Sequence, residues 1–188
     1  MKKLIIIILL ITGINKSFSQ ITNVEIITKE NDTLKNVELK INYFSQVELN
    51  YKLQEKLVII DKNGSKKELL PSDVSSFSLK YQGNILNYEN VENKGFALIM
   101  YSNKLKLLKY IKPNYSAVRI YIIKRPNNGK ISYMEAMGLS KLISKKVINR
   151  EITDCPSTIN KVESKELAIQ GESGVLELIK DYEASCFN

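Results

Sequence analysis

The thiols of Cys155, in "TDCPST", and Cys186, in "EASCFN", are the most reactive groups in this sequence, and no other cysteine accompanies them. A thiol does nucleophilic or redox chemistry when a Cys-x-x-Cys spacing or a neighbouring base lowers its pKa. The two lie far apart, and the chain contains no histidine. In an oxidising compartment they admit one pairing, Cys155–Cys186. That disulfide closes a loop of about 30 residues and stabilises by about 3–4 kcal/mol through the entropy of the unfolded chain. A reactive thiol is the alternative, and it lacks both activating features.

The missing histidine also removes the commonest general base and metal ligand, so Ser-His-Asp and Cys-His constellations are excluded within the chain. No catalytic residue, metal site or cofactor is expected. Carboxylates alone can still run acid–base hydrolysis of the glycosidase kind. Glu151 and Asp154 are the candidates, and charge balance against Arg150 is their structural alternative. In "DKNGSKKE", Asp61, Asn63 and Ser65 alternate as in a calcium loop. The twelfth-position acid and the flanking helices are missing, so a hairpin turn fits better. The eight glycines are scattered and form no phosphate loop.

"YSNKLKLLKYIKPNYSAVRIYIIKR" interleaves basic and aromatic residues across two strand-like runs. Alternation points Lys104 and Lys106 together, with Leu105 and Leu107 opposite. It also places Arg119, Tyr121 and Ile123 on one face, and Val118, Ile120 and Ile122 on the other. Lys104, Lys106, Arg119 and Tyr121 are therefore the candidate binding residues, suited to an anionic polymer such as a lipopolysaccharide, an acidic glycan or nucleic acid. No specific nucleic-acid motif supports the last of these. A solvated, lysine-rich strand face that discourages edge aggregation is the structural alternative.

The elements that must position these groups read as strands followed by helices. "VEIIT" and "TLKNVELKINY" form a first pair. In the second of them Val37, Leu39, Ile41 and Tyr43 alternate against Asn36, Glu38, Lys40 and Asn42. "KLVIIDKNGSKKELL" reads as a hairpin about a type I′ turn at Asn63-Gly64. "FSLKYQGN", with a turn at Gly83-Asn84, leads to "ILNYEN". "FALIMYS" and "LKLLKYIK" join near Asn103-Lys104. "AVRIYIIKR", the turn "PNNGK" and "ISYMEA" complete the run. Helical spacing then appears in Leu139, Leu142, Ile143 and Val147, and again in Val175, Leu178, Ile179 and Tyr182, where Ser173 fits an N-cap. "STINKVESKEL" adds a short third helix. The expected fold is α+β: an antiparallel β-rich body over 20–136, a sandwich or partly open barrel, followed by two to three helices over 137–188 that pack on it.

The first nineteen residues read as a secretory signal. Lys2 and Lys3 precede an apolar run from Leu4 to Ile11, and Ser17 and Ser19 provide small residues before a cut ahead of Gln20. The run is too short for a spanning helix, and no later stretch supplies one. Removal takes away Lys2, Lys3 and Lys16 and no acid. The net charge falls from +8 to +5, with 25 basic and 20 acidic residues left.

Three stretches resemble a group of exported Bacteroidota proteins of unknown function. The first is "IITKENDTLKNVELK", a strand, an acidic turn with Asp-Thr, and a strand. The second is "VIIDKNGSKKELLPSDVSSF", a hairpin, a Pro-x-Asp-hydrophobic turn and a Phe. The third is the tail, "DCPSTINKV" with "LIKDYEASC". Gln20 after the cut fits the same habit. Tyr-Glu-Ala-Ser-Cys departs from the group's tighter terminal Tyr-x-x-Cys. The resemblance implies export and this architecture, and it carries no activity.

The expected protein is exported: periplasmic, outer-membrane-associated or secreted. It is a non-enzymatic binding or structural component of the envelope, whose partner is an envelope protein or glycan. Binding of anionic polymers through the basic-aromatic strands is the first alternative, and a carboxylate hydrolase the second. A small outer-membrane barrel disagrees with the helical end, because a barrel closes with a strand.

Overall fold

A computed structural model describes residues 20–43, 45–61, 63–112, 118–127, 129–136 and 143–187. Ten strands, β1 (Gln20–Thr28), β2 (Thr33–Lys40), β3 (Leu57–Ile60), β4 (Lys66–Leu69), β5 (Val74–Tyr81), β6 (Asn84–Val91), β7 (Gly95–Ser102), β8 (Lys106–Ile111), β9 (Arg119–Lys124) and β10 (Ile131–Ala136), pair throughout antiparallel. They form one sheet in the order β10-β9-β8-β7-β6-β5-β1-β2-β3-β4. It is a single unclosed sheet, not two packed ones. Helix α1 (Gln46–Glu55) joins β2 to β3. Helices α2 (Lys145–Glu151), α3 (Pro156–Glu163) and α4 (Gly171–Cys186) follow the last strand. The α+β reading with a helical C-terminal end is borne out.

Helix α1 interrupts the strand series for a local reason. Ser45 accepts from the Glu48 backbone N–H at 3.2 Å, the first half of a capping box, and Glu48 pairs with Lys52 one turn on. Leu49 and Leu53 are buried against Phe77, Leu79, Tyr88 and Phe96 on one face of the sheet. Phe77 stacks on Tyr88, with ring centroids 4.6 Å apart, and the Tyr88 hydroxyl donates to Asn50 Oδ1 at 2.5 Å. At the far end of α1, the Gln54 amide mimics a strand. Its Nε2 donates to the Ile111 carbonyl at 2.8 Å, and its Oε1 accepts from the Ile111 N–H at 2.6 Å.

The C-terminal helices cover the other half of the same face. Val175, Leu178, Ile179 and Tyr182 of α4 bury with Leu105, Leu107, Tyr121, Ile123 and Met134. The helical spacing read in the sequence is thus the contact stripe. Ser173 does not cap α4: the helix begins two residues earlier, with Gln170 at the N-cap position and no side-chain cap. The earlier glycine is the reason, since Gly171 takes φ +66 and turns the chain into the helix before Ser173 is reached. Leu139 and Leu142 lie outside the described residues, whereas Ile143 is buried and Val147 packs against the same core.

Two turns differ from expectation. Asp61 N–H donates to the Ser65 carbonyl at 2.9 Å and Gly64 N–H to the Asp61 carbonyl at 3.0 Å, with Gly64 at φ +78. That is a three-residue hairpin loop with a left-handed glycine, not a two-residue turn at Asn63-Gly64. The Asp61 carboxylate fixes it, accepting from the N–H groups of Asn63 and Ser65, which is why the calcium-like alternation is turn chemistry. At the β5–β6 hairpin the positive φ angles fall on Gln82 and Gly83, and Asn84 already pairs with Tyr81, so the turn sits one residue earlier than Gly83-Asn84.

Gly174 explains how closely α4 approaches the preceding loop. An added Cβ would lie 2.5 Å from the Ala168 carbonyl oxygen and 3.1 Å from Ile169 backbone atoms. A glycine-to-alanine change inside a helix normally stabilises by about 1 kcal/mol. Here Gly174→Ala is expected to destabilise by about 1–2 kcal/mol, because the rigid backbone must move. Urea unfolding of the variant checks the sign.

Candidate functional site

The sheet has two unlike faces. Helices cover one. On the other, Val91, Ala97, Leu108 and Ile122 form a cluster whose partly buried neighbours, Ile99, Tyr110 and Ile120, are also strand residues. Register assigns the rest of this face: Lys106 opposes Lys124, Leu108 opposes Ile122, and Ile122 and Lys124 oppose Tyr133 and Ile131. Strands β6 to β10 therefore present a graded strip, basic at one end and apolar beyond it.

The basic end is a depression of roughly 400 Å³ lined by Glu89, Asn103, Lys104, Lys106, Lys124 and Ile131, among others. Glu89 accepts from Lys106 at 2.8 Å and from Lys124 at 2.5 Å. Burial pushes its carboxyl up, and the two lysines outweigh burial to hold it below the ordinary range. Lys104 is exposed on the β7–β8 turn and makes no ion pair among the described residues. Lys106 and Lys124 thus share one carboxylate, and Lys104 lines the same depression. The apolar end is a depression of roughly 300 Å³ lined by Val91, Glu92, Lys94, Tyr110, Ile120, Ile122 and Tyr133. Glu92 and Lys94 pair at 2.8 Å at its margin.

Of the candidate binding residues, the fold brings Lys104 and Lys106 together. It separates them from Arg119 and Tyr121, which are buried toward the helices on the opposite face. Strand alternation is the cause: Lys106 aligns with Lys124, whereas Tyr121 opposes Lys109. The Tyr121 hydroxyl is fully buried without a hydrogen-bond partner among the described residues, and burial pushes its pKa up to about 12. Sequence reading passed over Glu89, Lys124 and Tyr133, whose membership depends on strand order.

The hydrolase candidates gather around the largely buried side chain of Arg125, which also borders the basic depression. Arg125 Nε donates to Tyr182 Oη at 2.7 Å and to Asp154 Oδ2 at 3.1 Å. Its Nη1 donates to Ser132 Oγ and the Lys130 carbonyl, both at 2.8 Å, and its Nη2 to the Glu151 carbonyl at 2.7 Å. The Tyr182 hydroxyl donates to Asp154 at 2.6 Å. Burial pushes the Asp154 carboxyl up, but the Tyr182 and Arg125 hydrogen bonds prevail and lower it. Burial likewise pushes the Glu151 carboxyl up, and Arg150 and Lys130 outweigh it to give a lowered value. Both carboxylates stay ionised at neutral pH, so neither is poised as the proton donor that glycoside cleavage requires. No cluster of three or more potential metal ligands occurs among the described residues.

A second carboxylate fastens α4 to the β7–β8 turn beneath the basic depression. Glu183 accepts from the Leu105 N–H at 2.7 Å, Asn103 Nδ2 at 2.6 Å and the Tyr101 hydroxyl at 2.9 Å. Burial pushes the Glu183 carboxyl up, and these donors outweigh it to give a lowered value. A lowered folded-state pKa contributes stability that is complete above the unfolded value, near 4.5, and is lost as pH falls through the folded one. Glu183→Gln is expected to cost about 2 kcal/mol at pH 7 and to flatten the acid limb below pH 4.5. Urea unfolding at pH 7 and pH 3 measures both.

Compared with known proteins, the chain matches no family model, no curated protein and no solved structure.

Proposed function

We propose that this is an exported binding protein of the cell envelope, non-enzymatic, with the open face of β6–β10 as its binding surface. The observation that carries the export half is the Cys155–Cys186 disulfide, whose Cα atoms lie 5.9 Å apart and whose first sulfur is fully buried. Such a bridge suits an oxidising compartment. The signal-like first nineteen residues and the resemblance to exported Bacteroidota proteins support the same home. No described helix is long and apolar enough to cross a membrane. The partner is an envelope protein or glycan. The test is expression of the full chain in a bacterial host, followed by fractionation and intact mass measurement without reductant. Mature protein beginning at Gln20, with both cysteines oxidised, is the expected result. Full-length protein in the cytosol with free thiols would overturn it.

The lysine excess of the basic depression, Lys104 beside the Glu89-paired Lys106 and Lys124, favours anionic ligands as the second reading. Lys104→Ala and Lys106→Ala should each weaken binding of a polyanion such as heparin and reduce its salt dependence. Arg119 and Tyr121 lie on the covered face, so their substitution reports stability instead.

A further inference from the structure

We propose that the strip on the open face binds a free, single-chain anionic amphiphile, its charged head among Lys104, Lys106 and Lys124 and its apolar chain along Ile122, Ile120, Tyr110 and Tyr133. This rests on the reading of that face as the binding surface and names what it takes. Three features fit the ligand. The basic and apolar depressions are neighbours on one face: Lys124 and Ile131 line one, and Ile122 and Tyr133, their next neighbours on that face, line the other. The basic depression carries the excess charge: Lys106 and Lys124 share the single carboxylate of Glu89, and Lys104 makes no ion pair among the described residues, whereas the other end carries the Glu92–Lys94 pair. Its distant limit is set by the C-terminal end of α1, where Gln54 approaches Gly95 and the Glu55 carboxylate acts on Tyr110. A second anionic group is unwelcome there. From Lys106 to Tyr110 the strand advances about 13 Å, a length that a medium alkyl chain fills. A polyanion would leave the apolar end uncovered, and a neutral lipid would leave the excess positive charge of the basic end unmatched.

The experiment uses the mature chain, with dodecyl phosphate below its micellar concentration, inorganic phosphate, dodecyl maltoside and phosphatidylglycerol vesicles as probes in calorimetry. Dodecyl phosphate should bind with a Kd of about 10–100 µM at one site, at least tenfold tighter than inorganic phosphate or the maltoside. Lys104→Glu, at an exposed turn, and Tyr133→Glu, on the partly exposed edge strand, should each weaken it about tenfold while circular dichroism stays native. Equal binding of dodecyl phosphate and the maltoside, or no effect of Lys104→Glu, would overturn the charged-head assignment. So would binding to vesicles without binding to the monomer. If heparin binds and dodecyl phosphate does not, the amphiphile is wrong while the anionic surface stands. If neither binds, both readings fall.

Discussion

Arg125→Met should cost about 3 kcal/mol of stability, which for a chain of this size lowers the melting temperature by roughly 10 °C. The guanidinium is 6% exposed, and its nitrogens serve Asp154, Tyr182, Ser132 and the carbonyls of Lys130 and Glu151. It also lies over the Tyr182 ring, 5.3 Å from the centroid. Methionine fills much of the volume and supplies no donor. The Glu151 carbonyl keeps Ser132, and Asp154 keeps the Tyr182 hydroxyl, so the network is thinned and not erased. Asp154 is 46% exposed, which discounts the ion pair itself. The loss comes mainly from the partly buried hydrogen bonds joining β10, the end of α2 and α4. Arg125→Lys should recover less than half, since a single ammonium cannot reproduce the planar fork. A loss below about 1 kcal/mol in urea unfolding would mean that apolar packing alone seats the helices.

Cys155→Ser/Cys186→Ser is expected to lose about 3–4 kcal/mol, the entropy of a closed loop of this length. The bridge links the residue preceding α3 to the last residue of α4, across a sequence separation of 31. Without it the final turn of α4 loosens first, and that turn lies beside Tyr182 and Glu183. The effect should therefore couple with Arg125→Met: the combined variant departs from additivity by more than about 0.5 kcal/mol. Unfolding with and without reductant, and protease cleavage in α4, measure it. An unchanged midpoint on reduction would remove the bridge from the stability account.

Local pattern carried much of this fold. Val37 and Leu39 on β2, and Val175, Leu178, Ile179 and Tyr182 on α4, lie inward as alternation and helical period demand. The cysteine pairing followed from there being two. Helix α1 was hidden because its sequence is polar: Asn50 and Gln54 are buried by hydrogen bonds to Tyr88 and Ile111, which no hydrophobic period reveals. Bulges at Asn23 and Asn36, both at positive φ, displace registers that strict alternation would keep. The site was half legible. The Lys104–Lys106 spacing was visible in the chain, but Glu89 and Lys124 join them only through pairings between strands. Arg125 was silent for the same reason: a single arginine after a strand has no local signature, and its partners come from three separate segments.

The strand order has a consequence for how the chain assembles. Among the described strands, every ladder joins neighbours along the chain except one, β1 with β5, where Ile26 meets Phe77. Two meanders, β1–β4 with α1 inserted between β2 and β3, and β5–β10, can each form from pairings between chain neighbours at small loop-closure cost. The β1–β5 pairing must then join them. The strand pairing with the largest cost in chain entropy is therefore the one between β1 and β5, and assembly of the sheet should wait on that single docking event. A lesion at Ile26 would slow assembly of the whole sheet, while one at the tip of the β9–β10 hairpin would mainly quicken its loss.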